Sequence, residues 1–355
     1  MQRSKAMFER ILVPLDGSAL AERAIPVAAR MARSSSATVI LLQVVESSLE
    51  FGPYLTQPSS TFEHAVERRE KDARAYLQRV AQSDDLKGLN VQLEVSEGAV
   101  DLKLHDVVEM YTVDLIVMCS HNYSLFKRWM LGSVTDKIAR RVHVPMLVLH
   151  ERGEAALAPT LFDTTPLRAL VPLDGSAWSE AALLPTIQLL MELAPDTPKE
   201  LHLLRIVDLP ATAGIGKSAA HLSAGVVASV EKVALNYVEA LARELQQQIA
   251  PTANFTITSS VVTDNDVASA IVRIGEEERD GQRVYNLIAM ATHGFGGVRH
   301  WVMGSVTEHV LHTTTLPLFI LYPLPAKKNQ EKPTTQETAG STGTEKDEQP
   351  ILWDN

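Results

Sequence analysis

The chain of 355 residues contains one cysteine, Cys119, which excludes an intramolecular disulfide framework and any cysteine-based zinc cluster and fits a reducing compartment. Positive charge is also short. With 33 Lys and Arg against 43 Asp and Glu, the net charge is −10, so a broad attraction to nucleic acid or to an anionic membrane is disfavoured, and small ligands and proteins are the better candidates. Long apolar runs are missing as well: the longest, near residues 316–324, reaches about half of the ~20 residues that cross a bilayer. Residues 1–10 carry Arg3, Lys5, Glu9 and Arg10 without the apolar core of a secretory signal, so a cytoplasmic protein is expected. Hydrophobic residues at 45% and charged residues at 21% leave no ground for a disordered, collagenous or coiled-coil chain.

What is present is a duplication. Val13-Pro14-Leu15-Asp16-Gly17-Ser18-Ala19 recurs unchanged as Val171-Pro172-Leu173-Asp174-Gly175-Ser176-Ala177, an offset of 158. Gly132-Ser133-Val134-Thr135 recurs as Gly304-Ser305-Val306-Thr307 at an offset of 172, so the second copy holds 14 more residues between the two landmarks. Same-order landmarks mean a repeated unit. We expect domains over residues 7–150 and 167–325, a linker over 151–166, and a tail over 326–355. The tail is too poor in large apolar side chains to offset chain entropy and reads as disordered. Its Pro350-Ile351-Leu352-Trp353 end reads either as a docking peptide or as an untidy terminus. Residues 1–150 carry 18 basic and 18 acidic side chains, whereas 167–325 carry 10 and 16. The surfaces of the copies have therefore diverged.

Within each copy strand and helix patterns alternate. Strands are expected at 10–15, 37–45, 91–95, 114–119 and 144–150, with helices at 20–33, 63–82, 102–110 and 132–141. The second copy repeats strands at 169–173, 200–207, 256–262, 286–291 and 316–322. This order predicts an α/β fold of two tandem, doubly wound, parallel five-stranded sheets flanked by helices. Ligands of such sheets bind beyond the carboxyl ends of the strands, where strand order reverses.

Chemistry concentrates after the fourth strand of the second copy. Met290-Ala291-Thr292-His293-Gly294-Phe295-Gly296-Gly297 leads through Val298–Met303 into Gly304-Ser305-Val306-Thr307-Glu308. A glycine-rich loop running into a helix start brings free N–H groups and the positive end of a helix dipole to one place, which suits phosphate. Gly294 and Gly304 lack a Cβ that would block an anion, the hydroxyls of Ser305 and Thr307 can donate, and His293, Arg299 and His300 can add charge. The competing reading is a capping box, Ser305-Val306-Thr307-Glu308, in a helix that binds nothing.

Both copies resemble universal stress protein domains, whose nucleotide motif is Gly, two residues, Gly, nine residues, Gly, then Ser or Thr. The second copy follows it with Ala291 at the first glycine, then Gly294, Gly304 and Ser305. The similarity extends to Pro172, Leu173 and Asp174, to Ile206 and to Pro317. It is the ATP-binding branch that this copy resembles, with an adenine-nucleotide alpha-hydrolase-like fold. The resemblance implies that main chain near Leu173 and Ile206 meets adenine, and that Asp174 lies near ribose or a phosphate-bound Mg²⁺ or Mn²⁺. It further implies that Met290 and Ala291 line base and sugar, and that Gly294, Gly304, Ser305, Val306 and Thr307 cradle the phosphates. A carboxylate at a strand's carboxyl end can accept from ribose hydroxyls or hold Mg²⁺; its plainer role, for Asp16 as for Asp174, is to cap the next helix. The first copy has Cys119 and Asn122 where the family has glycine. Its Pro14, Leu15, Asp16, Val44, Met118, Cys119, Asn122, Gly132, Ser133, Val134 and Thr135 are expected to form a weakened or empty site, although Lys127 and Arg128 would attract phosphate.

Other motifs carry less. Gly214-Ile215-Gly216-Lys217-Ser218 resembles the end of a P-loop, but Ala211 replaces its first glycine and no strand leads into it. Cys119 reads as a structural thiol, His309 and His312 as helix-surface residues without a three-ligand pattern, and Trp129 and Trp301 as packing anchors. The expected protein is a stress-response regulator that binds ATP mainly in its second domain; the alternative is a nucleotide-free interaction protein with relic sites. An ATPase is less well supported, because no base to activate water can be placed and at most slow hydrolysis is expected. The family habit of pairing last strands implies that residues 144–149 and 316–322 meet edge to edge within one chain, and leaves room for a homodimer of such chains.

Overall fold

The computed structural model describes residues 7–46, 59–120, 142–150, 166–208, 224–249, 254–292 and 303–322. Contacts divide the chain into Met1–Pro323 and Leu324–Asn355, and the second unit, which holds the expected tail, lies outside the described residues. So do the expected helix at 132–141 and most of the linker.

The first half opens with β1 (Arg10–Leu15), followed by α1 (Ala19–Glu22), α2 (Ala24–Ser35) and β2 (Thr38–Val45). The single helix expected at 20–33 is two. Pro26 has no N–H to give and its ring crowds the preceding turn, so the helix restarts with proline in its first turn. After α3 (Ser59–Ala81) come β3 (Asn90–Glu97), α4 (Val100–Tyr111), β4 (Leu115–Ser120) and β5 (Met146–His150). The second half repeats the plan with β6 (Leu167–Leu173), α5 (Ala177–Glu180), α6 (Leu183–Leu193) and β7 (Lys199–Asp208). Pro185 splits α5 from α6 for the same reason. Then follow α7 (Ala224–Ile249), β8 (Phe255–Asp264) and α8 (Val267–Gly275). A ribbon of β9 (Glu278–Arg279) and β10 (Gln282–Arg283) precedes β11 (Leu287–Ala291), α9 (Ser305–Thr313) and β12 (Leu318–Leu321).

That ribbon has no counterpart. Three residues, 112–114, join helix to strand in the first half, whereas eleven, 276–286, do so in the second. The turn is Asp280-Gly281 with φ of 54° and 72°, the positive pair that a two-residue hairpin requires. Asp114 and Asn286 nonetheless do the same work. Asp114 accepts from the N–H groups of Glu9 and Arg10 at 2.8 and 3.0 Å, and Asn286 Oδ1 accepts from Arg168 N–H at 2.7 Å.

The two five-stranded sheets join edge to edge through their last strands, as the family habit implied, and form one ten-stranded sheet. The order is β3-β2-β1-β4-β5-β12-β11-β6-β7-β8; in this sheet every pairing within a half is parallel, and β5 meets β12 antiparallel through Met146–Ile320, Leu147–Phe319 and Val148–Leu318. Both strands are fully buried, as a strand covered on both faces must be. Met146, Val148, Leu318 and Ile320 face a core shared with α4, α8 and α9, while Leu147, Leu149, Phe319 and Leu321 face the other, under α2, α3, α6 and α7. Further ties cross between the halves. Phe8 meets Phe319 edge to face at 6.3 Å, the Glu192 carboxyl accepts from the N–H groups of Met7 and Phe8, and Arg30 Nε donates to the Leu193 carbonyl.

The candidate site at the carboxyl edge

Two adjacent strands end at the reversal point of the second half: β6 at Leu173 and β11 at Ala291. Beyond Leu173 the chain turns on Gly175, whose φ of +83° no side chain tolerates well. Asp174 Oδ1 accepts from Ser176 N at 2.9 Å and Ser176 Oγ at 2.6 Å, and Ser176 Oγ accepts from Ser179 N at 3.2 Å. Serine, rather than aspartate, is the helix cap. The first half repeats the arrangement with Gly17 at +85°, Asp16 Oδ1 accepting from Ser18 N at 2.9 Å and Ser18 Oγ accepting from Ala21 N at 3.1 Å. The carboxylates of Asp16 and Asp174 are thereby held at the ends of β1 and β6.

At the end of β11, Met290 and Ala291 are buried. Thr292 N donates to Leu321 O at 2.9 Å, and Thr292 O accepts from Gly304 N at 2.8 Å, so residues 292 and 304 are pinned together. A Cβ on Gly304 would sit 2.9 Å from Thr292 O. Glycine here is therefore required by a close backbone approach. It also makes Gly304 the N-cap of α9 with no side chain to accept from the first turn, leaving the N–H groups of Ser305, Val306 and Thr307 at the positive end of the helix. The competing capping-box reading does not hold: Ser305 is the first helical residue, exposed, and does not cap. The Thr307 hydroxyl is buried and donates to Ala291 O at 3.0 Å, so its proton holds the helix to the strand.

One charged group at this edge escaped the sequence reading. Arg205, opposite Leu173 in the β6–β7 register, donates from Nη1 to Leu173 O at 3.1 Å. Beside it the Tyr237 hydroxyl donates to Glu180 Oε1 at 2.7 Å; burial first and then Glu180 push that phenol well above its usual range, with Arg205 and Asp174 both close enough to act on it. Its signal was a lone arginine inside the apolar run Leu203-Leu204-Arg205-Ile206-Val207. The first half keeps the tyrosine and the acid, Tyr76 beside Glu22, with burial again raising the phenol. Gln43 takes the arginine's place opposite Leu15, its Oε1 buried without a hydrogen-bond partner.

Pro172, Leu173, Asp174, Ile206, Met290, Ala291, Gly304, Ser305, Val306 and Thr307 are thus brought to one edge, as are Pro14, Leu15, Asp16, Val44, Met118 and Cys119 in the first half. Gly294, Asn122, Gly132, Ser133, Val134 and Thr135 lie outside the described residues, as do His293, Arg299, His300, Lys127, Arg128, Trp129, Trp301 and Gly214–Ser218. Burial pushes the Cys119 thiol up to about 12, which keeps it protonated and unreactive at neutral pH. Among the described residues no group of three His, Cys, Asp or Glu side chains can hold a metal, and no helix is long and apolar enough to cross a membrane.

The model of the universal stress protein family matches residues 7–150 and 167–321. A universal stress protein of Mycolicibacterium smegmatis is 23% identical over 322 residues, covering 88% of this chain and 97% of that one. Universal stress protein MJ0577 of Methanocaldococcus jannaschii is 26% identical over 158 residues, 41% of this chain and 98% of its own length. Among solved structures, a universal stress protein from Archaeoglobus fulgidus superposes with a TM-score of 0.60 at 19% identity, covering 88% of this chain and 98% of that one. Similarity over both halves, on a strand order that repeats from one half to the other, means that the chain is a tandem-repeat member of the universal stress protein family.

Proposed function

We propose that this protein binds an adenine nucleotide, ATP with Mg²⁺ or Mn²⁺, chiefly at the carboxyl edge of its second half, and acts as a nucleotide-dependent regulator. The observation that carries the reading is the start of α9: a helix whose cap is glycine, whose first residue is an exposed serine, and whose N-terminus lies beside the ends of β6 and β11. Free N–H groups at a dipole's positive end favour phosphate, and the spacing from Ala291 to Gly304 and Ser305 resembles the ATP-binding branch of the family. Arg205 supports it by offsetting Asp174 and Glu180 in a half whose net charge is negative. Asp174 is the side chain that would reach ribose or a phosphate-bound metal. The rival reading, a relic site in an interaction protein, draws on the fold-building duties of Gly304, Thr307 and Asp174.

The two readings part at Ser305. A Ser305→Glu substitution puts a carboxylate at the first turn, where it stabilises the helix by about 0.3–1 kcal/mol but repels phosphate. Calorimetry with ATP and Mg²⁺ should show binding by the unaltered protein and at least about tenfold weaker binding by the variant, a cost of about 1.4 kcal/mol. The same change at Ser133 should have little effect. Absence of binding at millimolar ATP and Mg²⁺ sinks the reading.

A further inference from the structure

The sheet face beneath Tyr285 carries a hydrogen-bonded chain across β6, β7 and β8. Arg168 Nε donates to Glu200 Oε2 at 2.8 Å, and Thr258 Oγ1 donates to Glu200 Oε1 at 2.9 Å. His202 Nδ1 lies 2.7 Å from Thr258 Oγ1, and His202 Nε2 lies 2.8 Å from Ser260 Oγ. The proton positions follow from the partners. Thr258 gives its one hydroxyl proton to Glu200 and so must accept from His202. Nδ1 therefore holds the ring proton. Burial lowers the imidazole's pKa, which keeps the ring neutral, so the Nε2 lone pair faces Ser260 and the serine donates.

We propose that Ser260 is a nucleophile activated by His202, with Thr258 and Glu200 as positioning residues, and that it accepts the acyl group of a small neutral ester. Ser260 is partly exposed on β8, an edge strand of the sheet. Alternate N–H groups of an edge strand point away from the sheet, so either Ser260 itself or its two neighbours offer a donor for the developing oxyanion. Ser260 Oγ attacks the carbonyl carbon while its proton passes to Nε2. The bond from that carbon to the alcohol oxygen then breaks, and the alcohol leaves with the proton from Nε2. Water attacks the acyl-serine by the same route, giving the carboxylic acid and restoring the hydroxyl. The constellation belongs to the second half alone: by strand register, Ile40 stands in the place of His202, and Gln92 and Glu94 stand in those of Thr258 and Ser260. The eleven-residue connection found only in this half brings the Tyr285 ring to 5.6 Å from His202.

The test is a fluorophosphonate probe applied to the full chain without nucleotide, read by intact mass and peptide mapping, with p-nitrophenyl acetate turnover alongside. One adduct is expected, on Ser260. It should vanish in Ser260→Ala and form about 100-fold more slowly in His202→Ala, with both variants melting as one folded species. In Glu200→Gln the amide can donate to Thr258 and reverse the relay. Labelling should slow, and the midpoint of its pH profile should move down, because Glu200 is the facing group that raises the imidazole's pKa while Arg279 lowers it. No adduct, an adduct on the neighbouring Ser259, or labelling that a folded His202→Ala variant leaves unchanged would overturn the assignment. None of these outcomes depends on whether ATP binds.

Discussion

Opposite Leu15 the first half places Gln43; opposite Leu173 the second places Arg205. Around that one exchange the halves keep the same turn, the same serine cap and the same tyrosine beside a glutamate. The comparison teaches that the repeated residues build the edge, whereas the unrepeated ones decide what it meets. The Asp-Gly-Ser turn recurs because the backbone needs it; Arg205, His202 and the β9–β10 ribbon occur once because nothing in the framework requires them.

The largest expected effect asks whether the halves are separable at all. Phe319→Ala removes a fully buried ring from the seam and should cost about 3–5 kcal/mol, with Leu147→Ala, its register partner, costing about 2–5 kcal/mol. Urea unfolding of either variant should remain a single transition. Two transitions would mean that each half folds on its own.

Next comes His150, the last residue of β5, whose counterpart in the repeat is Tyr322, just past β12. His150 is fully buried with neither ring nitrogen hydrogen-bonded, and burial lowers its pKa from 6.5 to about 4. A pKa depressed by folding contributes stability that is complete above pH 6.5 and lost as pH falls towards 4, on the order of 3 kcal/mol. Glu192 works in the opposite sense: burial raises it to about 7, so its contribution is present at acid pH and fades as pH rises through 7. Between pH 4.5 and 6.5 the two oppose each other, so His150→Phe should raise the melting temperature at pH 4 relative to that at pH 6.5, and Glu192→Gln should lower the melting temperature at pH 4.5 relative to that at pH 7. An unchanged acid limb in His150→Phe would remove His150 from the account.

The smallest effect tests the edge itself. Arg205→Gln, which copies the first half into the second, should weaken ATP binding by a few fold, about 1 kcal/mol or less for a partly screened charge. Gln43→Arg should not create a site, since Cys119 still stands where the family has glycine. Equal binding by both halves of the Arg205→Gln variant would erase the ranking of the two edges.

Much of the framework was legible because its causes are local. Gly17 and Gly175 announce a turn with positive φ, and continuous apolar runs announce strands buried on both faces. The helix break before Pro26 was available in the sequence and was missed, as was the Asp280-Gly281 hairpin. The relay from Glu200 to Ser260 was out of reach for a different reason: its members lie 58 residues apart across two strands, and only the β7–β8 register brings them together. The competing capping-box reading of α9 fails by one residue because the Thr292–Gly304 bond, a tertiary contact, sets where the helix begins.

The antiparallel meeting of β5 and β12 has a directional consequence. The five strands that one half gives to the large sheet point one way and the five from the other point back, so the edge that holds Asp16 and the edge that holds Asp174 look out from opposite poles of that sheet. A partner that grips one pole leaves the other in solvent. The duplication therefore turned its two candidate edges away from each other instead of doubling one pocket.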